Sequence, residues 1–216
     1  MFKTIRIFIL LLILAAVALG TWRAQARSVE WKYALPVNVY LINGDTSEAS
    51  AAYLKGLTLA DFKPLEVFMQ EEAARYGHAS RASVEVRLGG ILASQPPAPP
   101  LNGSALEVII WSLKMRWWAY RNADSKGPDP QVKLFLLYFD PARTSRLAHS
   151  TGLQKGLIGR VNVFASHDMA SQNNVVIAHE FLHTLGATDK YDPASNLPVY
   201  PEGYAVPEQV PLLPQR

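Results

Sequence analysis

Cysteine is missing altogether from this 216-residue chain. Its absence excludes disulfides, thiolate metal ligands and cysteine nucleophiles together. A transition metal held here must use His, Asp, Glu or water, a donor set that suits zinc in a hydrolytic role. A true excess of positive charge is missing too. The formal net charge is +3 and the pI about 9.1, which at first admits a nucleic-acid partner. Residues 1–26, however, carry Lys3, Arg6 and Arg23 and no acid; setting those three aside from 21 leaves 18 basic residues against 18 acidic ones. A neutral remainder without a long basic run lacks the footprint of a nucleic-acid binder. Internal repeats are absent, and the one biased segment is Ser94 to Pro100, with four prolines. What remains is 49% hydrophobic and 18% charged, a mix that supports a packed core rather than disorder. The length allows one medium domain or two very small ones.

The N-terminus carries the longest apolar run. Lys3 and Arg6 precede an unbroken stretch from Ile7 to Leu19, followed by Gly20, Thr21, Trp22 and Arg23. A basic start and a short apolar core read as a secretory signal, and Ala24-Gln25-Ala26 supplies a cleavage pattern. The rival reading is a retained anchor over residues 5–22, with Trp22 and Arg23 at the membrane interface. Both readings place the remaining domain, 27–216, outside the cytoplasm, periplasmic or extracellular. They also admit a membrane association through the N-terminal segment.

Periodicity outlines an α+β domain. Pro36 to Ile42 reads as a strand in which Val37, Val39 and Leu41 alternate with Asn38 and Tyr40, closed by Asn43-Gly44-Asp45. Thr58 and Asp61 open a helix expected to reach about Arg75, with Phe62, Leu65, Phe68 and Met69 as its buried stripe. Val84, Val86 and Leu88 give a second strand that Gly89-Gly90 should stop. The prolines from 94 to 100 fit neither helix interior nor central strand; a loop within one domain is expected, with a domain linker as the alternative, since neither side alone makes a complete fold. Ser104 caps a helix to about Arg121. Its Trp111, Trp117, Trp118 and Tyr120 are expected to pack on the sheet; an aromatic surface for a membrane or partner is the alternative. Gln131 to Phe139 is apolar enough for a central strand. Gly159 to Ala165 is a further strand.

The chemistry concentrates in His179-Glu180-Phe181-Leu182-His183-Thr184-Leu185-Gly186-Ala187-Thr188-Asp189. A helix should begin before it, capped by Ser171 or Asn173, with Val175, Val176, Ala178, Leu182 and Leu185 as an apolar body around the ligands. Positions four apart share a helix face, so His179 and His183 can offer two imidazoles to one ion. Glu180 adjoins the first ligand, where it can take a proton from an attacking water and deliver it to a leaving amine. Gly186 suits a helix stop, because glycine tolerates the left-handed conformation there. Asp189 then arrives six residues after His183 as a candidate third ligand. Asp192 is the alternative to it, and Glu202 would suit a different zinc-peptidase class but lies among prolines. With this chain's composition, H-E-x-x-H arises by chance in roughly one chain in two hundred. Adding the Gly and Asp lowers that to the order of one in a hundred thousand.

His179 to Asp189, read as H-E-x-x-H-x-x-G-x-x-D, resembles the zinc-binding consensus of metzincin-type peptidases in the variant with Asp as third ligand, as in snapalysin. The resemblance implies Zn2+ held by His179, His183 and Asp189, with Glu180 as general base. It implies a zincin-like mixed twisted sheet above an active-site helix and an upper strand that binds extended substrate, for which Gly159 to Ala165 is the candidate. Metzincins carry a methionine turn after the third ligand. Here Met1, Met69, Met115 and Met169 all precede Asp189.

The function expected is a zinc-dependent endopeptidase acting on peptide or protein substrates. The alternatives are a zinc hydrolase of a non-peptide amide or ester, and a membrane-tethered binding protein with a structural zinc. Tyr191, Tyr200 and Tyr204 are candidate oxyanion donors, each with structural packing as its plainer role. His149 and His167 read as ordinary loop residues.

Overall fold

The computed structural model describes residues 2–29, 34–77, 84–100, 103–123, 130–190 and 194. Its contacts divide the chain into two units, Met1–Gly186 and Ala187–Arg216. The first unit holds every helix and strand described below.

A helix α1 (Phe2–Val29) comes first, and none of its window Lys3–Gly20 is buried. With 18 residues at mean hydropathy 2.2, that window has the length and composition of a signal sequence or a membrane anchor. Next come β1 (Leu35–Asn43), α2 (Glu48–Gly56), a 3-10 turn (Leu59–Phe62), α3 (Lys63–Arg75), β2 (Val84–Leu92) and α4 (Ala105–Asn122). Then follow β3 (Val132–Phe139), β4 (Thr151–Leu153), β5 (Ile158–Phe164) and α5 (Ala170–Leu185).

The five strands form one mixed sheet in the order β2-β1-β3-β5-β4. Only β4 runs antiparallel to its neighbour; the other pairs are parallel. Parallel neighbours need crossovers, and crossovers are right-handed. The step from β1 to β2 moves one way across the sheet and the step from β2 to β3 moves back. Their helices must therefore lie on opposite faces, and they do. Leu54 of α2, Leu65 and Met69 of α3, and Ile177 and Phe181 of α5 pack on Val37, Val39, Leu134 and Val161. Trp111, Met115 and Ala119 of α4 pack on Tyr40, Ile42, Phe135 and Leu137 across the sheet.

Coverage on both faces removes the alternation expected of the first strand. Asn38 and Tyr40 are as buried as Val37 and Val39, as befits an inner parallel strand. Gly89-Gly90 does not stop β2 either. The register shifts there, from Val39 opposite Leu88 to Tyr40 opposite Gly90. A Cβ on Gly89 would fall 2.3 Å from the Tyr40 ring, so the glycine makes room for that ring within a continuing strand.

Two stretches go beyond the expectations. Residues 48–56, unassigned above, form α2, capped by the Ser47 hydroxyl, which accepts from the Ser50 N–H at 3.1 Å. The helix expected from Thr58 begins instead as a 3-10 turn, in which the Asp61 carboxylate accepts from the Thr58 N–H at 2.7 Å. The α-helix proper starts at Lys63, with Pro64 in its first turn, where the missing N–H costs nothing. Phe62, Leu65 and Met69 are buried as expected, but Phe68 is exposed.

The turn after β1 binds it to the end of β3. Asp45 accepts from the Asp140 N–H at 2.8 Å, the Ser47 N–H at 3.0 Å and the Ser47 hydroxyl at 2.8 Å. Burial raises the Asp45 pKa, but the hydrogen bonds from Asp140 and Ser47 outweigh it and hold the carboxyl at about 2. A folded value below the unfolded one stabilises the fold above the unfolded pKa, near 4, and that stability is lost as pH falls through about 2. The shift converts to roughly 2 kcal/mol at most, and partial exposure trims it to about 1. Asp45→Asn is therefore expected to cost about 1 kcal/mol at pH 7 and almost nothing near pH 2. Urea unfolding across that range measures it, and a constant difference at every pH would remove the carboxylate from this role.

Candidate metal centre

Helix α5 carries the motif. It lies beside β4 and β5, and its buried stripe is Asn173, Ile177, Glu180, Phe181 and Thr184, at helical spacing. The apolar body expected around the ligands is thus only partly inward, since Val175 and Val176 are exposed. The expected caps differ as well. The helix starts at Ala170 behind Met169, with no side-chain cap. Asn173 is used otherwise. Its Oδ1 accepts from the Phe164 N–H at 3.0 Å, and its Nδ2 donates to the Phe164 carbonyl at 2.8 Å. This paired clamp pins the first turn of α5 to the end of β5 and fixes where the later turns lie.

His179 is exposed and His183 half-buried, one turn apart. Their Nε2 atoms stand 2.9 Å from each other, and the rings cross edge to face at 87° with centroids 4.4 Å apart. Two nitrogens on one tetrahedral zinc stand about 3.3 Å apart, so the pair needs to open by only a few tenths of an ångström. Glu180, between them in sequence, is buried at 7% exposure. The buried Thr184 hydroxyl donates to the Phe181 carbonyl at 2.6 Å, so this polar side chain is satisfied within the helix.

The helix ends as expected. Gly186 has φ +106, the left-handed conformation, and its N–H bonds to the His183 carbonyl. Asp189, exposed, belongs to the second unit. Only Ala187 and Thr188 stand between it and Gly186, a length of chain no longer than about 11 Å. Among the described residues, His179, His183 and Asp189 are the group of metal-ligating side chains that could hold an ion. The donor set is chemically right for zinc: two imidazoles and one carboxylate, three of the four ligands a tetrahedral ion takes. Tyr191, Asp192, Tyr200, Glu202 and Tyr204 lie outside the described residues. His149 and His167 take no part. The His149 carbonyl accepts from Asn162, and the His167 ring packs on Tyr53 with centroids 4.9 Å apart.

One residue near the site escaped the sequence reading. Gly152 lies in the middle of β4, where a Cβ would fall 2.5 Å from the His183 Cβ and 2.6 Å from the Glu180 carbonyl oxygen. Only a glycine lets β4 approach the motif helix this closely. The signal available in sequence was weak, a lone glycine in a stretch without periodicity. The strand expected to bind substrate needs correcting for a related reason. β5 is paired on both sides, with β3 and β4, along 158–160, so the start of the expected 159–165 stretch offers no open edge; among the described residues the outer strand there is β4.

The result is a mixed α/β chain with a five-stranded sheet and a candidate His, His, Asp metal centre. No protein-family model matches the chain, and neither a curated protein nor a solved structure matches it.

Proposed function

We propose that this chain is a zinc-dependent endopeptidase. The observation that carries the reading is the pair of imidazole nitrogens 2.9 Å apart on one face of α5, with Glu180 adjoining the first. His179, His183 and Asp189 would hold the metal. Zinc, when bound, supplies a Lewis acid and makes a water acidic near neutral pH. Glu180 takes the proton of the attacking water and returns it to the leaving amine. The outer edge of β4 sits against the motif helix through Gly152, and an extended peptide can add to such an edge through main-chain hydrogen bonds. That edge favours a peptide over a non-peptide amide or ester. The single-carboxylate, two-imidazole set favours a catalytic over a closed structural site, since structural zinc sites fill all four positions with protein ligands. The domain would work outside the cytoplasm, delivered by α1 as a signal or held by it as an anchor.

The test uses the purified full chain. Metal analysis is expected to find one zinc per chain, and a peptide library should be cut internally. Chelation should stop cleavage and added zinc restore it. Asp189→Ala should lose zinc while Asp192→Ala keeps it. Cleavage that survives chelation, or a chain that takes up no zinc at micromolar metal, would end the proposal. The reverse outcome for the two aspartates would move the third ligand to Asp192.

A further inference from the structure

Helix α4 has two apolar faces, and the sheet uses only one. Trp111, Met115 and Ala119 recur every four residues and are buried on Tyr40, Phe135 and Leu137. Half a helical turn away lie Leu106, Ile109, Ile110, Leu113, Trp117 and Tyr120. At 100° per residue these six fall within about 100° of arc, centred opposite the buried stripe. All are exposed, Trp117 at 63% and Tyr120 at 76%. The aromatic residues expected to pack together on the sheet are therefore split: Trp111 and Trp118 face inward, Trp117 and Tyr120 outward. Crossover handedness explains why nothing else shares the duty. Among the described residues, α4 is the helix that packs on this face of the sheet, and no other described helix packs beside it in that core.

The margins of the outer stripe are basic. On the same helical projection Arg121 and Lys114 border one side, both exposed; Arg116 borders the other but is half-buried, its side chain packed beside Gly156. The only acid on the helix is Glu107, already engaged in the cap, where it accepts from the Ser104 N–H at 2.7 Å. Arg121 also lies over the Trp117 ring, 5.9 Å from its centroid. An apolar stripe with Trp and Tyr, bordered by Lys and Arg, is the composition of a helix that lies in a membrane interface. Two-fold pairing of this face with a second copy would oppose basic margins that have almost no acid to meet them. An anionic lipid surface complements them instead. The chain also carries its own means of reaching such a surface: α1, an apolar helix with none of its Lys3–Gly20 window buried.

We propose that the outer face of α4 rests on an anionic bilayer surface, the membrane in which α1 is seated. The proposal rests on α1 being retained as an anchor and is independent of the zinc reading.

The absence of cysteine makes the test clean. Leu113→Cys, in the outer stripe, gives a unique attachment point for a polarity-sensitive fluorophore, with Ile109→Cys as a second. Lys55→Cys, exposed on α2 and on the other side of the sheet, is the reference. The labelled full chains are placed in vesicles of phosphatidylcholine with phosphatidylglycerol. At 113 and 109 the emission should shift to the blue and fall at least about twofold when acyl-chain-brominated lipid is included. At 55 it should do neither. Phosphatidylcholine alone, or Lys114→Glu combined with Arg121→Glu, should remove most of that quenching. Equal, water-like emission at 113 and 55 would overturn the proposal. So would a blue shift at 113 without lipid quenching, the signature of coverage by a second copy or by the chain itself. Quenching that ignores lipid charge would overturn the anionic assignment.

Discussion

Glu180→Gln is expected to leave zinc bound and to lower kcat for peptide cleavage by roughly a hundredfold to ten-thousandfold, the usual contribution of a general acid–base group. The substitution keeps the size and shape of a side chain that is 7% exposed, so packing in the α5 stripe should survive it. What it removes is the capacity to accept a proton from water and to hand it on. Because that capacity acts in the transition state, kcat and kcat/KM should fall together while KM stays near its original value. His179 and His183 retain their positions one turn apart, so the metal content should not change. Three readouts thus separate the role from its rivals. Loss of zinc along with cleavage would make Glu180 a structural support of the ligands. Loss of cleavage through KM alone would make it a substrate contact. Unchanged cleavage would remove it from the chemistry. Circular dichroism of the variant guards against the trivial explanation that the helix has unfolded.

The histidine pair was legible because its signal is local. A four-residue spacing on a helix and a glycine at the stop are consequences of backbone geometry alone, and Gly186 indeed takes the left-handed conformation. The strands were legible in place but not in pattern. Asn38 and Tyr40 alternate with apolar neighbours, and alternation is ordinarily the mark of a sheet covered on one side. The second covering layer, α4, is set by crossover handedness, and that is a relation among distant segments which no window of residues contains. The same holds for β4. Three residues, Thr151–Leu153, have no period to display, and their strand character exists only through pairing with β5. Asn173 was misread for a different reason. Its residue type suits a cap, and the nearer partner, the main chain of Phe164, becomes visible only once β5 and α5 are side by side.

Gly152 ties those two levels together, and its substitution is expected to have the second large effect. Gly152→Val should weaken zinc binding by roughly ten- to a hundredfold, as loss of a ligand-orienting contact does. It should also destabilise the fold by about 1–3 kcal/mol, as overpacking does. The reasoning starts from which atoms are in the way. A Cβ at this position meets the His183 Cβ at 2.5 Å, the Glu180 carbonyl oxygen at 2.6 Å and the Thr184 N at 3.2 Å. None of the three belongs to the free end of a flexible side chain, so no change of rotamer relieves the contact. Either β4 moves off the helix or the helix turn from Glu180 to Thr184 moves off β4. The first outcome spoils the edge proposed to hold an extended peptide and should raise KM. The second displaces His183 relative to His179, whose 2.9 Å separation leaves only a few tenths of an ångström to the spacing zinc requires. Competition titration with a zinc chelator and peptide cleavage kinetics distinguish the two, because only the second lowers metal affinity. Gly56→Ala is the control, since a Cβ there has nothing within 4 Å. If Gly152→Val matched that control in stability, zinc affinity and KM, β4 would have no part in shaping the site. The close approach would then be incidental to whatever this helix does.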